Sequence, residues 1–283
     1  MQCHRTLFAI ALALAVGCTG TMTVTDGPEE DDDAPPMMND AAPPAADGAA
    51  PAAADAFAPP SEDAGETVEP DMFVLPDPPS TIVAVDGIVA IEGESYIRME
   101  NTEHREWVRF DESSSPDISP DPDPPHLEGA SGGAYLEALP DTRVTHDDPL
   151  VSGESFHGSG GSGPMLTYPV RFETAGRYVV WVRAYSTGGE DNGLHIGIDS
   201  DFPEESARVQ FCSGKNRWTW SSAQRRSSNH CGSPRTVFLT VDTPGEHEVH
   251  FSMREDGFEL DKVLLVLDES FEPSGAGPDE VWE

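Results

Sequence analysis

A long segment that cannot build a core, from Thr19 to Ser80, is the feature that most constrains this chain. The segment carries 15 acidic residues and no Lys or Arg, and it consists largely of Ala, Pro, Asp and Glu. Such a composition cannot bury enough apolar surface to offset the entropy lost on ordering. Because proline and like-charge repulsion both extend a chain, we expect residues 18–80 to be a disordered acidic stalk. A tail that binds cations or a basic partner is the alternative.

The residues before the stalk have the pattern of an export signal. Arg5 precedes an apolar run, residues 7–16, that is too short to span a bilayer. The run ends in Ala15-Val16-Gly17-Cys18, which resembles the lipobox of bacterial lipoproteins, although that family prefers Leu at the position of Ala15. The resemblance implies that residues 1–17 are a signal peptide and that Cys18 carries the lipid anchor. The expected location is the bacterial outer membrane or cell surface, and ordinary secretory cleavage is the alternative.

The net charge limits the partners. A formal charge of −36 repels nucleic acid and anionic lipid, since both attract clusters of Lys and Arg. We therefore expect no nucleic-acid partner and membrane contact through the lipid anchor only. The chain is also expected to be a monomer.

Two of the four cysteines are predicted to form a disulfide. Cys3 would leave with the signal peptide and Cys18 would be lipidated, so Cys212 and Cys231 remain as a pair in an exported chain. Closing a loop of this length stabilises a fold by about 3 kcal/mol in the chain-entropy account.

After Thr81 the apolar residues alternate with a period of two, and Gly and Pro interrupt the pattern at short intervals. Residues 177–185, 194–198 and 237–241 each have the alternation of a buried or half-buried strand. Many short strands joined by tight turns predict an all-β fold, a jelly-roll β-sandwich, over residues 81–270. Residues 271–283 are assigned to an acidic C-terminal tail.

Three stretches resemble galactose-binding-like β-sandwich modules. They are residues 88–96 (IVAIEGESY), 175–183 (AGRYVVWVR) and 256–263 (DGFELDKV), and the resemblance covers roughly residues 82–268. It is to carbohydrate-binding modules of families 6 and 35 and to the C-terminal domain of glycoside hydrolase family 115. Residues 192–199 and 212–220 also resemble modules appended to agarases. It implies a polysaccharide ligand, with a galactan-like polymer among the candidates.

The same resemblance implies a structural calcium ion. In the family, acidic residues of the first strand and an Asp of the closing strand bind Ca²⁺, which correspond here to Glu92, Glu94 and Asp261. Alternate carboxylates on one strand face, with one more from a neighbouring strand, form a hard oxygen site of the kind Ca²⁺ prefers. An exposed acidic strand face is the alternative.

Sugar binding requires aromatic rings that stack on pyranose faces and polar groups that hold the hydroxyls. Trp218 and Trp220 lie inside the proposed disulfide loop, and their spacing places both on one side of an extended chain. Packing at the end of the sandwich is the alternative for both, and Trp181 is assigned to the core. The other candidate contacts are Arg183, Tyr185, Glu190, Asp191 and Asn192.

Signatures of catalysis are weak. The glycines of residues 158–163 fit G-x-G-x-x-G, but no helix follows them, so the segment is interpreted as a flexible loop. Nucleophile-elbow, zinc-protease, P-loop and C-x-x-C motifs are absent from the sequence. The sequence therefore favours a non-catalytic, polysaccharide-binding surface lipoprotein. A structural or adhesive protein and a glycan-active enzyme are the alternatives.

Overall fold

The computed structural model describes residues 80–114 and 116–283 of the chain. The signal peptide of residues 1–17, the lipidated Cys18 and the stalk up to residue 79 were predicted from the sequence and lie outside the described residues. Within the described residues, no helix is both long and apolar enough to cross a membrane.

The described residues form two packed β-sheets, which confirms the predicted all-β sandwich. The only helical element in them is one 3₁₀ turn, Ser131–Gly133. The strands are β1 (Ile82–Val83), β2 (Ile88–Glu92), β3 (Arg98–Glu100), β4 (Glu106–Asp111), β5 (Ala134–Leu139), β6 (Met165–Phe172), β7 (Gly176–Tyr185), β8 (Gly193–Ile198), β9 (Val209–Gln210), β10 (Thr219–Ser221), β11 (Phe238–Val241), β12 (Gly245–Met253) and β13 (Glu259–Val266).

The strand order differs between the sheets. The first sheet runs β1-β6-β12-β8-β9 with β3 also on β6, and the second runs β10-β7-β13-β5-β4 with β11 on β7 and β2 on β13. Only β1 and β6 pair in parallel; every other pair of named strands is antiparallel. Many neighbours in the sheets are far apart in sequence, as expected for a sandwich with crossing connections.

The core lies between the sheets. Alternate residues of β6, β7, β12 and β13 point into it, because side chains of a strand alternate between its two faces. Tyr168, Phe172, Tyr178 and Phe251 are the large aromatic residues of this layer, and each is at most 1% exposed. Trp181 belongs to a smaller cluster on the other face of the second sheet, where it is 6% exposed.

Both outer faces are also covered. His157 and Gly161 lie over the first sheet, where Gly161 N donates to Ser252 Oγ at 3.1 Å. The second sheet is covered by the β4–β5 connection and by residues 271–283. The sequence assigned residues 271–283 to a tail, but Glu283 exchanges backbone hydrogen bonds with Thr81. Glu280 accepts a hydrogen bond from Glu92 N, so this segment is packed against the sandwich.

Cys212 and Cys231 form the predicted disulfide, with Cα atoms 5.5 Å apart. The bond closes the segment that contains β10, and with it both Trp218 and Trp220.

Candidate functional site

A row of polar side chains crosses one end of the second sheet on its outer face. Glu259, at the start of β13, lies opposite Glu137 of β5 on one side and opposite Tyr185 of β7 on the other. Directly opposed residues in antiparallel strands project to the same face, so the three side chains are neighbours. The adjacent Leu136, Leu260 and Ala184 point the other way, into the core. Glu259 thus lies between a second carboxylate, Glu137, and the aromatic ring of Tyr185.

The connection from β4 to β5 places three further side chains over this row. Its sequence from Asp121 to His126 is Asp-Pro-Asp-Pro-Pro-His, with one cis peptide bond just before, at Ser119–Pro120. Because proline fixes φ and has no N–H to donate, the segment is stiff and does not pair with the sheet edge. Asp121, Asp123 and His126 are half-buried there.

His126 is held by four contacts. Its ring stacks on that of Tyr185 at 3.7 Å between centroids, and its Nδ1 lies 2.7 Å from Glu259 Oε1. Its backbone N donates to Tyr135 Oη, and its carbonyl oxygen accepts from Trp218 Nε1 at 3.2 Å. These contacts fix the loop against the strands.

We call Asp121, Asp123, Glu137 and Glu259 the carboxylate cluster. Burial raises the pKa of Glu137 to about 10, and the neighbouring charge of Glu259 adds to the effect. The pKa of Glu259 is raised well above its ordinary value, again mainly by burial and then by Asp123. Burial also lowers the pKa of His126, while the charges of Asp123, Asp121 and Asp191 act in the opposite direction.

The carboxylate cluster has the dimensions of a cation site. Two overlapping sets, Asp121/Asp123/Glu137 and Asp123/His126/Glu259, each offer three ligand atoms within 4.8 Å of one another. Ligands that share an ion at 2.3–2.6 Å are separated by at most about twice that distance. One ion could therefore reach either set.

Trp218 and Trp220 lie on the outer face of the second sheet, and both are half-buried. Trp218 packs edge-on against Tyr135 and Tyr185, at 5.4 and 5.5 Å between ring centroids. Trp220 packs with Trp181 and donates its indole N–H to the Gly275 carbonyl oxygen. The structure brings Trp218 and Tyr185 together and places Trp220 one row further along the face.

The polar residues predicted to contact sugar are buried and bonded within the protein. Asp191 accepts hydrogen bonds from Ser186 Oγ and from Thr187 and Gly188 of its own turn. Arg183 donates to the Gly129 and Gly275 carbonyl oxygens and to Asp261.

Glu190 and Asn192 are also inside the protein. Glu190 pairs with Arg143, and Asn192 N donates to Glu255 Oε2 at 3.0 Å. Arg183, Glu190, Asp191 and Asn192 thus form contacts within the protein, close to Tyr185 in the chain. Their contact with a sugar stays a prediction.

The predicted calcium ligands lie in or beside a second row of side chains on the same face. This row crosses β2, β13 and β7 further along the strands than Glu259 and Tyr185. Glu92 of β2, Lys262 of β13 and Arg183 of β7 are in register. Lys262 Nζ lies 2.7 Å from Glu92 Oε1, and Arg183 Nη1 lies 2.5 Å from Asp261 Oδ2. Protein cations thus occupy positions beside two of the three carboxylates, which fits an ion-pair network better than an oxygen cage.

Among the described residues Glu94 forms no ion pair of this kind. Burial raises its pKa to about 7, with the charge of Glu92 also acting in that direction, although the charge of Arg109 acts to lower the pKa. Its Oε2 atom is buried without a hydrogen-bond partner. Calcium at Glu92, Glu94 and Asp261 stays a prediction.

Sequence reasoning missed the carboxylate cluster and His126. Two signals could have found it: the alternation of Asp and Pro at residues 121–125, and glutamates next to buried apolar positions, at Glu137 in β5 and at Glu259 at the start of β13. A lone acidic residue among buried neighbours requires a partner, because a buried charge is costly. That partner comes from a distant loop, which the strand pattern does not reveal.

A groove at the opposite end of the strands is a poorer site for stacking. It is lined by Asp199, Asp201, Glu205, Phe238, Asp242 and His247, among others. The guanidinium of Arg177 lies 3.6 Å above the Phe238 ring and covers the aromatic face there.

Solved structures with a similar fold include two isolated carbohydrate-binding modules. The family 35 module from Clostridium thermocellum is 10% identical, with a TM-score of 0.36 over 63% of this chain and 96% of that one. The C-terminal family 6 module of the laminarinase LamC from Zobellia galactanivorans is 14% identical, with a TM-score of 0.34 over 63% of this chain and 98% of that one.

A curated relative, "Uncharacterized protein P23" of Formosa agariphila, is 47% identical over 193 residues, which are 68% of this chain. The chain spans about half of that protein, 47% of its length. The family model described as "Glycosyl hydrolase family 115 C-terminal domain" matches residues 128–280, more than half of the chain. This range contains the disulfide, Glu137, Tyr185, Trp218 and Glu259. The chain therefore belongs to the glycosyl hydrolase family 115 C-terminal domain family.

Proposed function

We propose that this chain is a non-catalytic polysaccharide-binding protein, with its binding surface around Tyr185 and Trp218. The observation that carries the proposal is that these two aromatic side chains are half-buried beside each other on the outer face of the second sheet. His126 stacks on one face of Tyr185, and Trp218 packs against Tyr185 at a steep angle, so both rings keep a fixed orientation. A fixed orientation lowers the entropy cost of stacking on a sugar. Membership in a domain family of glycosyl hydrolases supports a carbohydrate ligand.

Polar contacts to the hydroxyls would come from residues next to Trp218. Asn216 and Arg217 are exposed and directly precede it. They suit this role better than the buried Asp191 or Asn192, because a sugar can reach them without opening a loop.

A non-catalytic role is supported by the burial of the carboxylates. Glu137 and Glu259 are 3% and 2% exposed beneath the β4–β5 connection, where a sugar ring cannot approach. Glycoside hydrolysis needs two carboxyl groups that flank the scissile bond. We further propose that the stalk and a lipid on Cys18 hold the domain at the cell surface, as a monomer, and that galactan-like polymers are among its ligands.

The test combines binding and melting on the same variants. Trp218→Ala should weaken binding to a retained polysaccharide by about tenfold, since an aromatic contact contributes up to about 1.5 kcal/mol. Its melting temperature should fall less than that of a buried aromatic truncation, which costs about 3–5 kcal/mol. The same measurements on Trp220→Ala distinguish the contribution of Trp220 to binding from that of Trp218.

Trp282→Ala is the matched control, because Trp282 is 38% exposed and pairs with Ile82, away from Tyr185. Unchanged affinity of Trp218→Ala and Trp220→Ala for a polymer that the wild type binds would contradict the proposed surface. Release of new reducing ends from the polymer would show an enzyme, and binding to proteins but to no glycan would favour an adhesive role.

A further inference from the structure

We propose that the carboxylate cluster is a calcium site, distinct from the one that family resemblance implies at Glu92, Glu94 and Asp261. The ligands are carboxylate oxygens of Asp121, Asp123, Glu137 and Glu259. The inference does not depend on polysaccharide binding.

The first argument is geometric. Asp121, Asp123 and Glu137 offer three oxygens within 4.8 Å of one another, and Glu259 joins Asp123 within the same distance. Glu137 and Glu259 come from paired positions on neighbouring strands, so their separation is fixed by the sheet. The two aspartates come from a proline-stiffened loop that His126 fastens to β13. The site is built on rigid elements.

The second argument is an unsatisfied buried atom. Glu259 is 2% exposed, and its Oε1 contacts His126 while its Oε2 has no hydrogen-bond partner. Asp121 Oδ1 is buried without a partner as well. Buried carboxylate oxygens are normally hydrogen-bonded or coordinate a metal. A bound cation would provide the missing partner for such an oxygen.

The third argument is the sign of the neighbouring charges. The charged groups that act most strongly on Glu137 and Glu259 are all acidic. For Glu137 they are Glu259, Asp121, Asp123 and Asp141, and for Glu259 they are Asp123, Asp191 and Asp121. In contrast, Glu92 and Asp261 have Lys262 and Arg183 within 2.7 Å. A divalent cation would balance the negative charge of the carboxylate cluster, as Lys262 and Arg183 balance the negative charge of Glu92 and Asp261.

The choice of ion follows from the ligand set. Four carboxylates and one imidazole are mainly hard oxygen donors, which favour Ca²⁺ over softer transition metals. His126 already contacts Glu259 through Nδ1, so the oxygen set is the one available to the ion.

The experiment measures Ca²⁺ binding to the full, chelator-treated chain by calorimetry and by melting. Glu137→Gln and Glu259→Gln should each weaken Ca²⁺ binding at this site at least tenfold and remove its part of the Ca²⁺-induced rise in melting temperature. Both variants should fold, because a neutral amide resembles the protonated carboxyl that burial favours without metal. Their melting without Ca²⁺ should match or exceed that of the wild type.

Glu94→Gln is the matched control, since it changes one carboxylate of the resemblance-based site to its isosteric amide and leaves the carboxylate cluster intact. Tb³⁺ provides a local readout, because Trp218 lies beside the cluster and can sensitise the ion's luminescence. Trp218→Phe should then reduce the signal without reducing Ca²⁺ affinity.

Three results would overturn the proposal: a wild type that does not bind Ca²⁺, unchanged affinity in Glu137→Gln and Glu259→Gln, or loss of all binding in Glu94→Gln alone. Tighter binding of Zn²⁺ than of Ca²⁺, lost in the same two variants, would overturn the choice of ion.

Discussion

Two rows of side chains cross the outer face of the second sheet. Both contain buried or half-buried acidic residues, but the two rows differ in how the acidic charge is balanced. In the row of Glu92, Lys262 and Arg183, one acid and two bases lie side by side across three strands. In the row of Glu137, Glu259 and Tyr185, two acids adjoin an aromatic residue. Buried charges of one sign are costly unless paired. In the row of Glu92, bases of the polypeptide therefore balance the acidic charge. The row of Glu137 and Glu259 depends on protons or on a cation for that balance.

Removing a base from the row of Glu92, Lys262 and Arg183 should have the largest effect on stability. Lys262→Met removes an ammonium that is 1% exposed and leaves Glu92 beside Asp261 with a base missing. We expect a loss of about 3–5 kcal/mol in the free energy of unfolding, as for other buried pairs that lose one partner. Urea unfolding of the variant and the wild type measures it. A loss below about 1 kcal/mol would show that the row does not need its base.

Opening the disulfide should cost about 3 kcal/mol, the value expected for a 19-residue separation. The double variant Cys212→Ser/Cys231→Ser loosens the segment that carries Trp218 and Trp220. We expect a lower melting temperature together with weaker polysaccharide binding. If binding survives unchanged while stability falls, the ordered position of the tryptophans does not require the bond.

On the first sheet, a buried histidine, His195, is held in its neutral form by hydrogen bonds. His195 donates from Nε2 to the His157 carbonyl oxygen and accepts at Nδ1 from Arg208 N, so both ring nitrogens are used by the uncharged imidazole. Burial lowers its pKa from 6.5 to about 3. Because the folded-state pKa is depressed, this contribution to stability is complete above pH 6.5 and is lost as pH falls towards 3.

His195→Asn should remove that part of the pH dependence. Between pH 8 and pH 5 the wild type should lose about 2 kcal/mol more than the variant does. Denaturant unfolding at the two pH values tests this, and parallel pH profiles would contradict the assigned tautomer.

The smallest effect is expected at an exposed pair. Arg98 lies 3.0 Å from Glu248, but both side chains are more than 40% exposed. Arg98→Met should change the free energy of unfolding by less than about 1 kcal/mol, which makes it the surface control for Lys262→Met. A loss as large as that of the buried variant would mean that burial is not what distinguishes the two pairs.

The sequence predicted most of the fold because strand alternation is a local signal. The strand predicted from Arg177 to Tyr185 is β7, and the pairing of Cys212 with Cys231 follows from the cysteine count. The site was less predictable. Arg183 looks like a surface contact in the sequence, but its partner Asp261 is 78 positions away and is revealed only by packing. Asp191, by contrast, is bonded within its own turn.

The carboxylate cluster illustrates the same limit. Glu137 and Glu259 are separated by 122 positions in the chain and become neighbours only through the β5–β13 pairing. No local pattern encodes that register, whereas the turn at Thr243-Pro244-Gly245 does encode the positive φ found at Gly245, which is 141°.

The backbone bonds between Thr81 and Glu283 have a consequence for engineering the domain. They place the two ends of the described β-sandwich side by side at the edge of the first sheet, with Trp282 opposite Ile82. Chain ends this close can be joined by a short linker, and new ends can be opened in an exposed turn, such as the one before Gly245. A circularly permuted domain of this kind could be attached to a surface through the end of the strands remote from Tyr185. Its ligand capture could then be compared in two orientations with every side chain unchanged.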